Sequence, residues 1–237
     1  YIRKTSDGGE NWSTIEFVQF PPSLPRRKLI SYPYRNCIVV VCDSGLVLRT
    51  TDGGDSWEQH WLDVPKEHSQ ATIFQMEGDL GVIYYAGEGL YRTTDGGENW
   101  EKWDINVEPH IELALFFNII DEHSLYIIGY NFTSQDSLYH YFYSSNRGET
   151  LEYQFTREKG NVVGSGAYFI NKNIGWSNRS IKIKNNSSND SLEVQSIRKT
   201  TDGGRNWHLQ YIDTNSTNEY FGNLIFKDSL NGLVSSL

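Results

Sequence analysis

Between residues 71 and 105 apolar and polar positions alternate in four short bursts separated by turn signals. Ala71–Met76 is an apolar run closed by Glu77-Gly78-Asp79, and Gly81–Ala86 is a second, closed by Gly87-Glu88-Gly89. Leu90–Thr94 alternates as a half-buried strand does, Asp95-Gly96-Gly97 supplies a tight turn, and Trp100–Ile105 alternates again. The pattern predicts a four-stranded antiparallel meander.

The meander recurs with its turn. Thr-Thr-Asp-Gly-Gly-x-x-Trp or a close relative begins at Thr5, Thr50, Thr93 and Thr200, with a worn copy at Ser144. The acidic or amide positions are Asp7, Asp52, Asp95, Asn146 and Asp202. Spacings of 43 to 56 residues in an all-β pattern predict propeller blades. A single blade cannot bury its own faces, so neighbouring blades stack into one core. The turn has a mechanism. Glycines accept the positive φ of a tight loop, the aspartate accepts hydrogen bonds from loop amides, and Trp12, Trp57, Trp100 and Trp207 cover the loop. These turn residues are expected to be structural.

Composition narrows the function. The net charge of -9 opposes a duplex-binding surface, and no apolar run is long enough to span a membrane. The chain starts at Tyr1 with no signal peptide and reads as a mature or excised segment. Cys37 and Cys42 sit five apart in one predicted strand, on opposite faces, and are expected as buried free thiols. Sequons at Asn11, Asn131, Asn178, Asn185, Asn186, Asn189 and Asn215 are what a chain rich in Asn, Ser and Thr yields by chance.

The repeated S/T-x-D-x-G-x-x-W pattern resembles the Asp-box, or BNR, repeat of sialidases, sortilin-type propellers and photosystem II stability/assembly factor-like proteins. Asn173-Ile174-Gly175-Trp176 and Asp228–Val234 look like the stretch preceding the box in the assembly-factor-like group, which is the nearest group. The resemblance implies an all-β propeller of four-stranded antiparallel blades in one domain, 1–237. Blades are expected at about 27–62, 71–105, 111–156 and 162–212. A composite fifth, of 1–19 with 220–237, would close the ring and remove open sheet edges. The alternative is a fragment of a six- to eight-bladed propeller.

By the same resemblance, ligands meet the loop face opposite the boxes, in an extracytoplasmic compartment: periplasmic, secreted or cell surface. The binding candidates on that face are Arg26, Arg27, Glu67, His68, His110, Glu112, Arg157, Glu219 and Tyr220. The leading expectation is a non-catalytic scaffold for a protein or glycan, with no cofactor, no metal and no nucleic acid. The alternative is a propeller-type glycoside hydrolase. A sialidase needs three converging arginines, and the loop face offers Arg26, Arg27 and Arg157 from two blades. A two-carboxylate enzyme would draw on Glu67, Glu112, Glu158, Asp213 and Glu219, with one acid of raised pKa. His68 and His110 with Glu67 and Glu112 have no spacing that fixes a metal site.

Overall fold

The computed structural model describes residues 2–15, 28–65, 70–111, 113–131, 138–158, 167–184, 191–214 and 221–236. Among the described residues, twenty strands account for the regular structure, and the one helical element is a single 3-10 turn at Asp43–Gly45. The chain divides into two compact units, Tyr1–Asp104 and Ile105–Leu237.

The first unit opens with a hairpin, β1 (Ile2–Lys4) and β2 (Ser13–Ile15). Two four-stranded antiparallel meanders follow. One is β3 (Lys28–Tyr34), β4 (Cys37–Cys42), β5 (Leu46–Thr50) and β6 (Glu58–Trp61). The other is β7 (Ala71–Glu77), β8 (Leu80–Tyr85), β9 (Gly89–Thr93) and β10 (Glu101–Trp103). The central strands are buried on both faces and therefore read as unbroken apolar runs, Val39-Val40-Val41 and Leu80–Tyr85. Val39, Val41 and Val47 pack with Ile83, Tyr85 and Tyr91 in one shared core between these two sheets. Cys37 and Cys42 are free and buried, the first in that core and the second in a cluster with Val40, Leu46 and Leu48.

The second unit repeats the plan. Its first meander is β11 (Leu113–Ile119), β12 (Leu125–Asn131), β13 (Leu138–Ser144) and β14 (Glu152–Glu158). Its second is β15 (Ala167–Phe169), β16 (Gly175–Lys184), β17 (Ser191–Thr200) and β18 (His208–Asp213). A hairpin of β19 (Phe221–Phe226) and β20 (Gly232–Ser236) ends it. Aromatic rings join these sheets: Tyr126 stacks on Phe169 at 4.4 Å, and Trp176 stacks on Phe226 at 3.7 Å. Gly175 and Gly232 begin their strands because a Cβ there would lie 2.6 Å and 2.4 Å from the Phe169 and Phe226 rings. The chain is an all-β propeller built of four-stranded antiparallel blades.

Candidate functional site

Four copies of the repeated turn link the third strand of a meander to the fourth, and the first copy joins β1 to β2. In the third copy the Thr93 hydroxyl donates to Asp95 Oδ1 at 2.7 Å and accepts the amides of Asp95 and Gly97 at 3.4 and 3.0 Å. Asp95 Oδ1 also accepts the Asn99 amide at 2.9 Å, and Oδ2 accepts Asn99 Nδ2 at 2.9 Å. Trp100 closes the loop by donating its indole N–H to the Gly97 carbonyl at 3.2 Å. Thr5, Thr50 and Thr200 repeat the hydroxyl's role, and Asn11, Ser56 and Asn206 repeat that of Asn99. Donors converging on the carboxylates hold Asp7 down at about 2 and push Asp52, Asp95 and Asp202 below the ordinary value as well. The Asp228 carboxyl, in the turn before β20, is lowered by Asn231 and the Leu230 amide. Among the described residues, the carboxyls whose acidity clearly departs from the ordinary all move down.

Two further ties were present in the repeat but hidden in its flanks. The amide one residue after the Asp or Asn donates to the turn joining the first two strands of the same sheet. These bonds run from Gly53 to Asn36, Gly96 to Asp79, Arg147 to His123 and Gly203 to Asn173, at 2.7 to 3.0 Å. The residue three before the Asp is basic in four copies, Lys4, Arg49, Arg92 and Lys199. Lys4 reaches Asp55 at 2.7 Å, Arg49 reaches the Gly96 carbonyl at 3.1 Å, and Lys199 reaches the Ser229 carbonyl at 3.4 Å. Each of these joins a sheet to the turn end of its neighbour. The Thr or Ser two before the Asp, common to all five copies, was the signal that could have revealed the hydroxyl's role.

The indoles differ more than the motif implies. Trp57 and Trp100 are half-buried, whereas Trp12 is 59% exposed and covers no core among the described residues. Trp207 packs edge-on against Phe169 at 6.0 Å, and its buried Nε1 has no hydrogen-bond partner among the described residues.

At the other end of the first unit the described loops are also held together internally. Asp43 Oδ1 accepts the Ala71 amide at 3.2 Å, and the Leu62 amide donates to the Gly45 carbonyl at 2.8 Å. The Tyr85 and Tyr91 hydroxyls donate to the carbonyls of Cys42 and Asp63 at 2.8 and 2.7 Å, and burial pushes both phenols up.

Of the nine binding candidates, Arg26, Arg27, Glu67, His68, Glu112, Glu219 and Tyr220 lie outside the described residues. His110 is exposed in the segment before β11. Arg157 is not a loop residue: it sits within β14, paired with Tyr139, its guanidinium 5.6 Å over the Phe155 ring. The strand runs to Glu158 because Leu138 and Tyr139 still pair with it beyond the expected end. Sequence reasoning passed over His140, whose buried ring contacts Thr156 Oγ1 at 2.7 Å and whose pKa burial pushes down. Among the described residues no three His, Cys, Asp or Glu side chains converge as a metal site would require, and no helix is long and apolar enough to cross a membrane.

Comparison with known proteins places this geometry. The family model described as Sortilin, neurotensin receptor 3 (Sortilin-Vps10) matches residues 45–220. No curated protein matches the sequence. Among solved structures, YCF48 from Cyanidioschyzon merolae superposes with a TM-score of 0.59 at 16% identity, over 98% of this chain and 72% of that one. YCF48 bound to D1 peptide is 14% identical over 92% of this chain and 91% of that one, with a TM-score of 0.43. The WD40 domain of SCAP from fission yeast is 12% identical over 87% of this chain and 56% of that one, with a TM-score of 0.45.

Proposed function

Because the chain belongs to the Sortilin-Vps10 family, we propose that it is a non-catalytic binding propeller, holding a protein or glycan on the loop face opposite the repeated turns. Family membership also supports an extracytoplasmic setting. The observation that carries the reading is the contrast between the two ends of the sheets. At one end, five near-identical turns spend their side chains on their own loop amides. At the other, the connecting segments share no motif, and variable loops on a rigid scaffold are where recognition concentrates.

The reading is tested by probing the purified chain on arrays of glycans and of peptides. The loop-segment variants Arg26→Ala with Arg27→Ala, and Glu67→Ala with His68→Ala, are compared with the turn variant Thr93→Val. The loop variants are expected to lose the captured ligand while keeping the melting temperature. The turn variant is expected to lower the melting temperature while its folded fraction still binds. Ligand loss confined to a fully folded turn variant would overturn the proposal, as would hydrolysis of any arrayed glycan.

A further inference from the structure

Five steps along the chain set a glycine directly after an aspartate or asparagine: Asp7–Gly8, Asp52–Gly53, Asp95–Gly96, Asp202–Gly203 and Asn231–Gly232. Such a step can close on itself. With no Cβ to shield it and a wide choice of backbone angles, the glycine nitrogen reaches the preceding side-chain carbonyl carbon and forms a five-membered succinimide.

The repeated turn guards its own steps. The Gly53, Gly96 and Gly203 amides donate to the carbonyls of Asn36, Asp79 and Asn173. Asp52, Asp95 and Asp202 are gripped by backbone and side-chain donors of Ser56, Asn99 and Asn206. Those donors favour the ionised carboxylate, which is a poor electrophile.

Asn231–Gly232 differs on each count. Its electrophile is a neutral carboxamide, and both residues are exposed. The Lys227 amide donates to the Asn231 carbonyl at 2.9 Å, so the next pair, Phe226↔Gly232, falls on the phase of the ladder without cross-strand bonds. The Gly232 N–H therefore points away from β19. Gly175, at the same place in β16, faces Thr200 of a third strand, whereas among the described residues β19 and β20 form a sheet of two. The Gly232 amide meets an open edge. Asn231 Nδ2 donates to Asp228 Oδ1 and Oδ2, both at 2.9 Å, and these exposed bonds are readily exchanged for bonds to water.

We propose that Asn231–Gly232 is a self-modification site, converting in the folded protein to aspartate and isoaspartate and so loosening the β19–β20 turn. The Gly232 nitrogen gives its proton to water or hydroxide and bonds to Cγ of Asn231, and Nδ2 leaves as ammonia. One water then opens the succinimide, at one carbonyl to aspartate and at the other to isoaspartate. The product carboxylate faces the Asp228 carboxylate across two lost hydrogen bonds. The same turn carries the Ser229 carbonyl that Lys199 reaches at 3.4 Å, so the tie from β17 slackens with it.

The test is incubation of the full chain in neutral and mildly alkaline buffer, followed by peptide mass mapping and labelling with an isoaspartate-specific carboxyl methyltransferase. The peptide holding Asn231 is expected to gain the mass of an amide-to-acid conversion and to accept the label, faster as pH rises. The chain unfolded in guanidinium chloride should convert there at a comparable rate, and only that chain should also label at Asp52, Asp95 and Asp202. Asn231→Gln, whose ring would be six-membered, should lose the conversion. Asn231→Asp, which carries one product from the start, should melt below wild type at neutral pH. Suppression at Asn231 by folding of at least about tenfold overturns the proposal, because the native edge would then be closed. Equal melting of Asn231→Asp and wild type overturns it as well.

Discussion

The third and fourth copies of the repeated turn follow the same path with different chemistry. In residues 93–100 the path is held by Thr93, Asp95, Asn99 and Trp100, with glycine at both positive-φ positions, Gly96 and Gly97. In residues 144–151 the Ser144 hydroxyl donates to Asn146 Oδ1 at 2.9 Å and accepts the Gly148 amide at 2.9 Å. Asn146 Oδ1 accepts the Thr150 amide at 3.0 Å, and Nδ2 donates to the Thr150 hydroxyl at 2.9 Å. Arg147 takes the first glycine's place at φ 59°. The path therefore needs a short hydroxyl, one side-chain oxygen two residues on and a polar partner four residues after that. It needs neither the negative charge nor the indole.

The largest expected difference between the copies lies in the ring. Trp100 packs on Phe74 and the core below, so Trp100→Ala should cost about 3 kcal/mol, while Leu151→Ala should cost about 1 kcal/mol. Urea unfolding of the two variants reads the gap, and equal losses would show that the indole carries no special share.

The hydroxyl should matter alike in both. Thr93→Val and Ser144→Ala each leave one buried and one part-buried loop amide without their acceptor, for a loss of about 2 kcal/mol apiece. A variant that unfolds at the wild-type urea midpoint would remove the hydroxyl from the argument.

A smaller effect of opposite sign is expected at the worn position. Arg147→Gly replaces a side chain held in left-handed backbone and should stabilise by about 0.5–1 kcal/mol. A lower melting point instead would mean that contacts of the Arg147 side chain outweigh its backbone cost.

The smallest difference is one of acid response. The Asp7 carboxyl sits at about 2 in the fold against an ordinary 3.8, and Asp95 is also lowered. As pH falls through that range the unfolded chain takes up protons before the folded turn does, so stability is present above about 3.8 and declines toward 2. Asp95→Asn should flatten part of this decline, and Asn146→Asp should steepen it. Acid melts that superimpose for all three proteins would deny the carboxylates this role.

The strands and turns were legible because their causes are local. Period-two alternation at Leu90–Thr94, the unbroken Val39–Val41 run and the glycines at positive φ each announce themselves within a few residues. Two cysteines five apart on one strand likewise dictated free thiols rather than a disulfide. The hydroxyl two residues before each Asp, and the basic residue one before that, were visible as letters. Their work was not, because a hydrogen bond such as Arg49 to the Gly96 carbonyl joins residues 47 apart.

The candidate site was the less legible part for the same reason. Arg157 read as a loop residue because the end of β14 is set by pairing with β13, not by any turn signal in its own segment. Sequence by itself determined the all-β class, the four-stranded meander and the chemistry of the repeated turn, since each depends on neighbours in the chain. Tertiary structure alone decided which faces meet and which indoles are covered. Those outcomes depend on partners dozens of residues away, and burial is a property of the assembled sheets rather than of any one strand.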